Sequence, residues 1–287
     1  MCNKKSDIEI ATATDENYAP YLSVMLTSVL DNSPLDRKVH FSIISDGLSA
    51  ETKTSIKEVI AQTSNQATVQ FLAVDKQTYA HVLVSDHITQ TAYFRISLPQ
   101  LLAKRGCEKV LYLDADILCL TDISELYDQP LNGRTIGAVI DPGQIHALSR
   151  LAVVSENYYF NSGVMLINCS LWSEQEITRK TMDYLVTHKD KIIYHDQDAL
   201  NAVLYEKWWH LHPRWNVQTS LITNKFPAPD KMYRKWYEEC NEFPAIIHFT
   251  GHDKPWNTLS DHPFTKQYLK QLEQNEALMK VGVSDAG

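Results

Sequence analysis

The chain has 287 residues, is 44% apolar and carries a formal net charge of −8 at pH 7. Its length and composition suffice for one large domain with a full core. The acidic balance, without a long basic run, excludes a sequence-general nucleic-acid binder, which needs cations against phosphate. An anionic ligand must instead be held by local cations, helix N-termini or a metal. The five cysteines are odd in number and lack zinc-like pairing, and several lie in apolar surroundings and read as small core residues. Asp7 and Glu9 interrupt what would be the apolar core of a signal peptide. No run approaches the roughly 18–20 apolar residues of a membrane span. The expectation is a cytoplasmic protein without a transmembrane segment.

In chain order, Ile8 to Ala13 reads as a strand, and Pro20 to Leu30 has apolar residues at helical spacing. Val39 to Ser45 is a second strand, and Ser49 is placed to cap a helix through Ile60. Thr68 to Val74 is a third strand. Tyr93 to Ala103 is predicted helical and divided by Pro99. Val110 to Leu113 is a buried strand, followed by Thr135 to Ile140 and by Phe160 to Asn168, where Gly163 permits close backbone approach. Leu171 to Val186 and Asp198 to Leu204 read as helices. From Trp208 the chain is aromatic, proline-rich and poor in periodicity until the short strand Ala245 to Phe249. His262 to Met279 is polar and predicted helical. Strand, helix, strand in this rhythm implies an α/β fold with a parallel sheet and right-handed crossovers.

The strand at Val110 to Leu113 ends on Asp114-Ala115-Asp116. Nothing inside a doubly covered sheet pairs with two carboxylates, so they belong at its carboxyl edge, where open α/β sheets bind ligands. Two hard oxygen ligands there suit a divalent cation that also grips phosphate. Thr14-Asp15-Glu16-Asn17-Tyr18 follows the first strand; Asp15 and Asn17 either read a pyrimidine edge, with Tyr18 stacked on its face, or cap the next helix. His248 is either a third metal ligand or an ordinary core histidine. Gly251 and Lys254 beyond it suit a diphosphate. In His195-Asp196-Gln197-Asp198, capping explains one aspartate and leaves the other for hydroxyl recognition. Arg95 is either an isolated active-site cation or a solvated surface residue.

Together these pieces, with Tyr93-Phe94-Arg95, Phe160-Asn161-Ser162-Gly163 and His248-Phe249-Thr250-Gly251-His252-Asp253-Lys254-Pro255-Trp256, resemble family 8 of the retaining glycosyltransferases with the GT-A fold. That family includes the lipooligosaccharide α-galactosyltransferases and glycogenin, and within it the chain is most similar to the bacterial general stress protein A type. The resemblance implies a GT-A (Rossmann-like) mixed, mostly parallel sheet flanked by helices. It implies a catalytic domain over residues 1–258 and a small helical appendage over 259–287. Asp114, Asp116 and His248 would bind Mn²⁺, with Mg²⁺ the alternative. Ala13, Asp15, Asn17 and Tyr18 would hold uridine, with His87 nearby. Gly251 and Lys254 would contact the diphosphate, and Ala115 belongs to the same nucleotide-sugar site. Arg95, Asn161, Asp196 and Gln197 would surround the donor sugar, with Asp141 at its far side; Gln197, Asp196 and Asp141 are the candidates for catalysis.

The implied reaction moves glucose or galactose from UDP-glucose or UDP-galactose to a hydroxyl of a glycan, lipid or protein, with retention. Gln197 stands where a nucleophile would be needed, and a neutral amide is a poor one, so front-face transfer is favoured and Asp196 is the fallback nucleophile. The segment after Ser260 is short and mixed in charge, unlike a membrane-docking tail. Two readings compete: a UDP-sugar-binding sensor without transfer activity, and a nucleotidyltransferase. The second is disfavoured by the acidic, glycine-free turn Thr14-Asp15-Glu16-Asn17.

Overall fold

The computed structural model describes residues 6–34, 36–45, 47–73, 93–257 and 260–284, with side chains as far as residue 278. The first half alternates as expected: β1 (Ile8–Ala13), α1 (Ala19–Asp31), β2 (Val39–Ser45), α2 (Ala50–Thr63) and β3 (Ala67–Ala73). Pro20 lies in the first turn of α1, where its missing N–H costs nothing, and Leu22, Met25, Leu26 and Val29 bury one stripe of that helix. Ser49 caps α2, its hydroxyl accepting from Thr52 N at 3.0 Å.

The chain continues through α3 (Phe94–Ala103), β4 (Lys109–Leu113), β5 (Ile117–Cys119), α4 (Ser124–Tyr127), β6 (Ile136–Ile140), α5 (Ala147–Arg150) and β7 (Phe160–Asn168). The strands assemble in the order β3-β2-β1-β4-β7-β6, closed by β8 (Trp208–His210). Four of the six pairings are parallel, and β7 alone runs antiparallel to both its neighbours. Along β4 the side chains alternate between two cores: Val110 and Tyr112 enter one, Leu111 and Leu113 the other. The period of two therefore buries both faces, as an unbroken apolar strand requires.

Between β6 and β7 the register jumps from Ala138↔Met165 to Val139↔Asn161, so Ser162, Gly163 and Val164 bulge out of the β6 ladder. A bulge re-aims side chains, and here it falls at the carboxyl edge of β4. A second, three-stranded sheet joins β5 to β10 (Ile246–His248) and β9 (Val217–Gln218).

Three expectations need correction. The helix α3 runs unbroken through Pro99, because Ile96, Leu98 and Leu102 bury around it and tertiary packing outweighs the one lost hydrogen bond. The single helix over Leu171 to Val186 is two, α6 (Cys169–Glu174) and α7 (Ile177–Thr187), separated where Glu176 adopts a left-handed φ of 54°. The segment after Trp208 holds α9 (Thr219–Ile222) and a regular helix, α10 (Lys231–Glu242), capped by Asp230 and buried through Tyr233, Tyr237 and Cys240. That spacing is helical and was hidden by the surrounding polar residues. α8 (His195–Leu204) precedes β8, and α11 (Thr265–Ser284) closes the chain on α1, where Asn275 is buried against Ser23 and Thr27. Among the described residues no helix is long and apolar enough to cross a membrane. The four described cysteines are free, three of them buried.

Candidate functional site

Asp114 and Asp116 occupy the link between β4 and β5, held by backbone on both sides. Asp114 N donates to Gly163 O at 2.9 Å, and Phe249 N donates to Asp116 O at 3.1 Å. The antiparallel pairing of β10 with β5 sets His248 opposite Ile117, and so beside the aspartates, although more than a hundred residues intervene. One ligand atom from each of Asp114, Asp116 and His248 lies within 4.8 Å of the others. The ring Nε2 is 3.3 Å from Asp116 Oδ1 and 3.8 Å from Asp114 Oδ2.

The donor set fits a divalent cation: two hard carboxylates and an imidazole, packed so tightly against β7 that only glycine fits opposite. A Cβ on Gly163 would lie 2.2 Å from His248 Cε1 and 2.8 Å from Asp114 Oδ2. Two of the three are also oriented from behind. Tyr112, two residues before Asp114 and on the same face of the strand, donates its hydroxyl to Asp114 Oδ1 at 2.8 Å, and His248 Nδ1 is 2.9 Å from Asn216 Oδ1.

Cations surround this cluster. Lys254 Nζ lies 2.5 Å from Asp116 Oδ2 and donates to Phe249 O at 2.6 Å. Burial disfavours the Asp116 carboxylate, but the Lys254 ammonium and His248 outweigh it and hold its pKa well below the usual range. Arg95 is largely enclosed and bridges two acids, 3.0 Å from Asp114 Oδ1 and 3.0 Å from Asp196 Oδ2. Burial opposes its charge, and Asp114 and Asp196 more than restore it, so its pKa rises. Asp196 is pushed up to about 6, by burial first, with Arg95 opposing and Asp114 adding.

The two aspartates of α8 divide the labour. Asp198 faces inward and accepts from Arg150 through both oxygens at 2.9 Å, from Tyr159 Oη at 2.8 Å, and from the backbone N–H groups of Ile193 and Tyr194 at 2.7 and 2.8 Å. Asp196 faces the cleft. His195, with a left-handed φ of 46°, turns the chain between them and the preceding loop. Gln197 is fixed at both ends: its Oε1 accepts from Ser162 N at 2.9 Å and its Nε2 donates to Asp141 Oδ2 at 3.1 Å. Burial raises the Asp141 pKa, partly offset by the Gln197 and Gly143 hydrogen bonds.

These groups line one cleft of about 600 Å³. It gathers Tyr18, Arg95, Asp114, Asp116, Asp141 and Asn161 with Asp196, Gln197, His248, Gly251 and Lys254, drawn from seven separate stretches of sequence. Ala115 turns the other way, its methyl group buried in the core beneath. Ala13, Asp15 and Asn17 stand at the carboxyl end of β1, where Asp15 Oδ1 accepts from Tyr18 N at 3.0 Å in the turn that leads into α1. His87 lies outside the described residues. Sequence reasoning missed Ser162, Tyr194 and Asn216. The hydroxyl of Tyr194, at the mouth of the cleft, accepts from Gln144 Nε2 at 2.8 Å. The only signal for Tyr112, which was also missed, was its two-residue offset from Asp114.

Fold and site together define a glycosyltransferase of the GT-A type. The chain belongs to glycosyl transferase family 8, whose family model matches residues 9–260. It is 39% identical over 271 residues to general stress protein A of Bacillus subtilis (strain 168), covering 94% of each chain. To the lipopolysaccharide 1,2-glucosyltransferase of Escherichia coli (strain K12) it is 30% identical over 277 residues, covering 95% of this chain and 80% of that one. Among solved structures it is similar to the galactosyltransferase LgtC in complex with donor and acceptor sugar analogs. There the TM-score is 0.83 at 27% identity, over 93% of this chain and 96% of that one.

Proposed function

We propose that this chain transfers a hexose, glucose or galactose, from a UDP-sugar to a hydroxyl of a glycan, lipid or protein, with retention at the anomeric carbon. The observation that carries the reading is the convergence of Asp114, Asp116 and His248 in one cleft with Lys254, Arg95, Asp196 and Gln197. The glucosyl- and galactosyltransferase names of its relatives support a hexose donor. Asp114, Asp116 and His248 would hold Mn²⁺, which when bound neutralises charge building on a leaving diphosphate.

The protein's own groups do the rest. Lys254 places a second positive charge at the aspartate pair, on the side where a β-phosphate would sit. Tyr18, half-exposed at the cleft edge, offers its ring to a uracil. Arg95 and Asp196 form the floor beneath the sugar. Gln197, locked between Ser162 and Asp141, is a neutral amide that orients and does not attack. Transfer therefore proceeds on one face: the bond from the anomeric carbon to the phosphate oxygen breaks, the bond to the acceptor oxygen forms, and the acceptor proton passes to the departing phosphate.

The test is incubation with UDP-glucose and UDP-galactose, with and without Mn²⁺, following UDP release and reading the product's anomeric configuration by NMR. Mn²⁺-dependent UDP release with one donor and a retained configuration is expected. Tight donor binding with no release, not even slow hydrolysis, would make the protein a sensor. A glycosyl adduct trapped on Asp196 would replace front-face transfer with double displacement.

A further inference from the structure

The orientation of His248 is set by a chain of hydrogen bonds that begins at a backbone N–H and leaves no freedom along the way. Gly163 N donates to Asn161 Oδ1 at 3.0 Å. A main-chain N–H can only donate, so the amide oxygen of Asn161, not its NH₂, faces that point. Asn216 Nδ2 lies 2.9 Å from the same oxygen and must present its NH₂ there. The other end of Asn216, its Oδ1, then meets His248 Nδ1 at 2.9 Å. An amide oxygen only accepts, so the proton of the imidazole sits on Nδ1. In its neutral form the ring then carries its lone pair on Nε2, the nitrogen that looks at Asp116 and Asp114.

Asn216 is fully buried, ending the short turn Pro213–Asn216 just before β9. The parallel pairing of Val217 with Ile247 is what carries it to the side of His248. Its neighbour Asn161 also hydrogen-bonds Asp141, on the far side of the cleft. One buried amide thus stands between the cation ligand and the sugar side of the cleft.

We propose that Asn216 is a positioning residue for family 8 chemistry in this chain: it fixes the Nδ1–H tautomer of His248 and links the cation site to the sugar side through Asn161. Apart from the tautomer itself, this inference rests on the function proposed above. A ligand imidazole whose other nitrogen is held by an acceptor is pre-set for a metal, and loss of such a partner weakens metal binding by roughly 10- to 100-fold.

The test uses the metal-free, ¹⁵N-labelled protein and two variants. Long-range ¹H–¹⁵N spectra of the His248 ring at pH 8 should show the proton on Nδ1 in the wild type and in Asn216→Asp, and on Nε2 in Asn216→Leu. Calorimetric titration with Mn²⁺ alone, without nucleotide, should give affinity roughly 10- to 100-fold weaker in Asn216→Leu and within about threefold of wild type in Asn216→Asp. Asn216→Asp keeps the acceptor for Nδ1–H but sets a carboxylate against Asn161 Oδ1. It should therefore raise the KM for donor about tenfold while Mn²⁺ affinity holds, a split that a packing defect alone does not produce.

Wild-type protein with the proton on Nε2, or an Asn216→Leu protein that keeps the wild-type tautomer and Mn²⁺ affinity, overturns the inference. An Asn216→Asp protein that binds Mn²⁺ as weakly as Asn216→Leu overturns it too. An Nδ1–H ring in wild-type protein that binds no Mn²⁺ overturns the proposed function and leaves the tautomer assignment standing.

Discussion

The molecule contains two Asp-x-Asp segments at its site, and they behave oppositely. Asp114 and Asp116 both turn into the cleft, whereas Asp196 does so and Asp198 enters the core, taking five donors. The spacing is identical, so the backbone decides. At a strand end, residues two apart share a face; at the start of a helix they stand about 200° apart. An acidic pair on an extended segment is therefore a candidate for joint ligation, and one opening a helix supplies at most one functional carboxylate. The electrostatics follow: Asp116, met by Lys254 and His248, is held ionised, while Asp196 is pushed up to about 6 by burial.

Substitutions in the two pairs should break apart along the same line. Asp116→Asn removes a ligand charge from the extended pair and should cut turnover on the order of a thousandfold, about 4 kcal/mol of barrier, with folding intact. Steady-state rates beside a thermal melt check this, and near-normal Mn²⁺-dependent activity would remove Asp116 from the cation site. Asp198→Asn should do the reverse. With Arg150 and Tyr159 losing their carboxylate, denaturant unfolding should show a loss of about 3 kcal/mol, while Mn²⁺ affinity stays near wild type.

Asp196 gives a pH signature. Its folded-state pKa of about 6 exceeds the ordinary 3.8, so the folded protein holds more protons than the unfolded chain between those values. Stability from this group is present below about pH 4 and is lost as pH rises through 6. Measured without metal, Asp196→Asn should gain on wild type by of order 2 kcal/mol across that window, and parallel pH profiles would contradict it. The smallest effect is expected for Gln197→Ala, about tenfold in turnover, since in the proposed reaction its amide positions and forms no bond to substrate. A loss as large as that of Asp116→Asn would make Gln197 a chemical participant.

Much of this was legible in the sequence, and where it failed is physically coherent. The apolar block Val110 to Leu113 announced a strand buried on both faces, and β1, β2 and β7 end where turn residues and periodicity placed their bounds. The aspartates at the edge of β4 followed, since a buried sheet has no partner for them. Asp15 shows the limit: the same residue satisfies a capping and a ligand pattern, and its bond from Tyr18 N takes up one carboxylate oxygen and decides neither. Pro99 was misread because local propensity lost to the packing of Ile96 and Leu102. Asn216 carried no motif at all. Its place depends on the pairing of β9 with β10, a contact between segments some thirty residues apart that no local pattern encodes. Residues proposed to touch ligand were visible as chemistry, and those that orient them became visible only through topology.

The most direct test of the whole account is a crystal grown or soaked with UDP and Mn²⁺ and measured at the manganese absorption edge. The account predicts a single anomalous peak ligated by Asp114, Asp116 and His248 Nε2, with diphosphate oxygens completing its shell. Ordered UDP in the cleft with no manganese peak between those three side chains would contradict it.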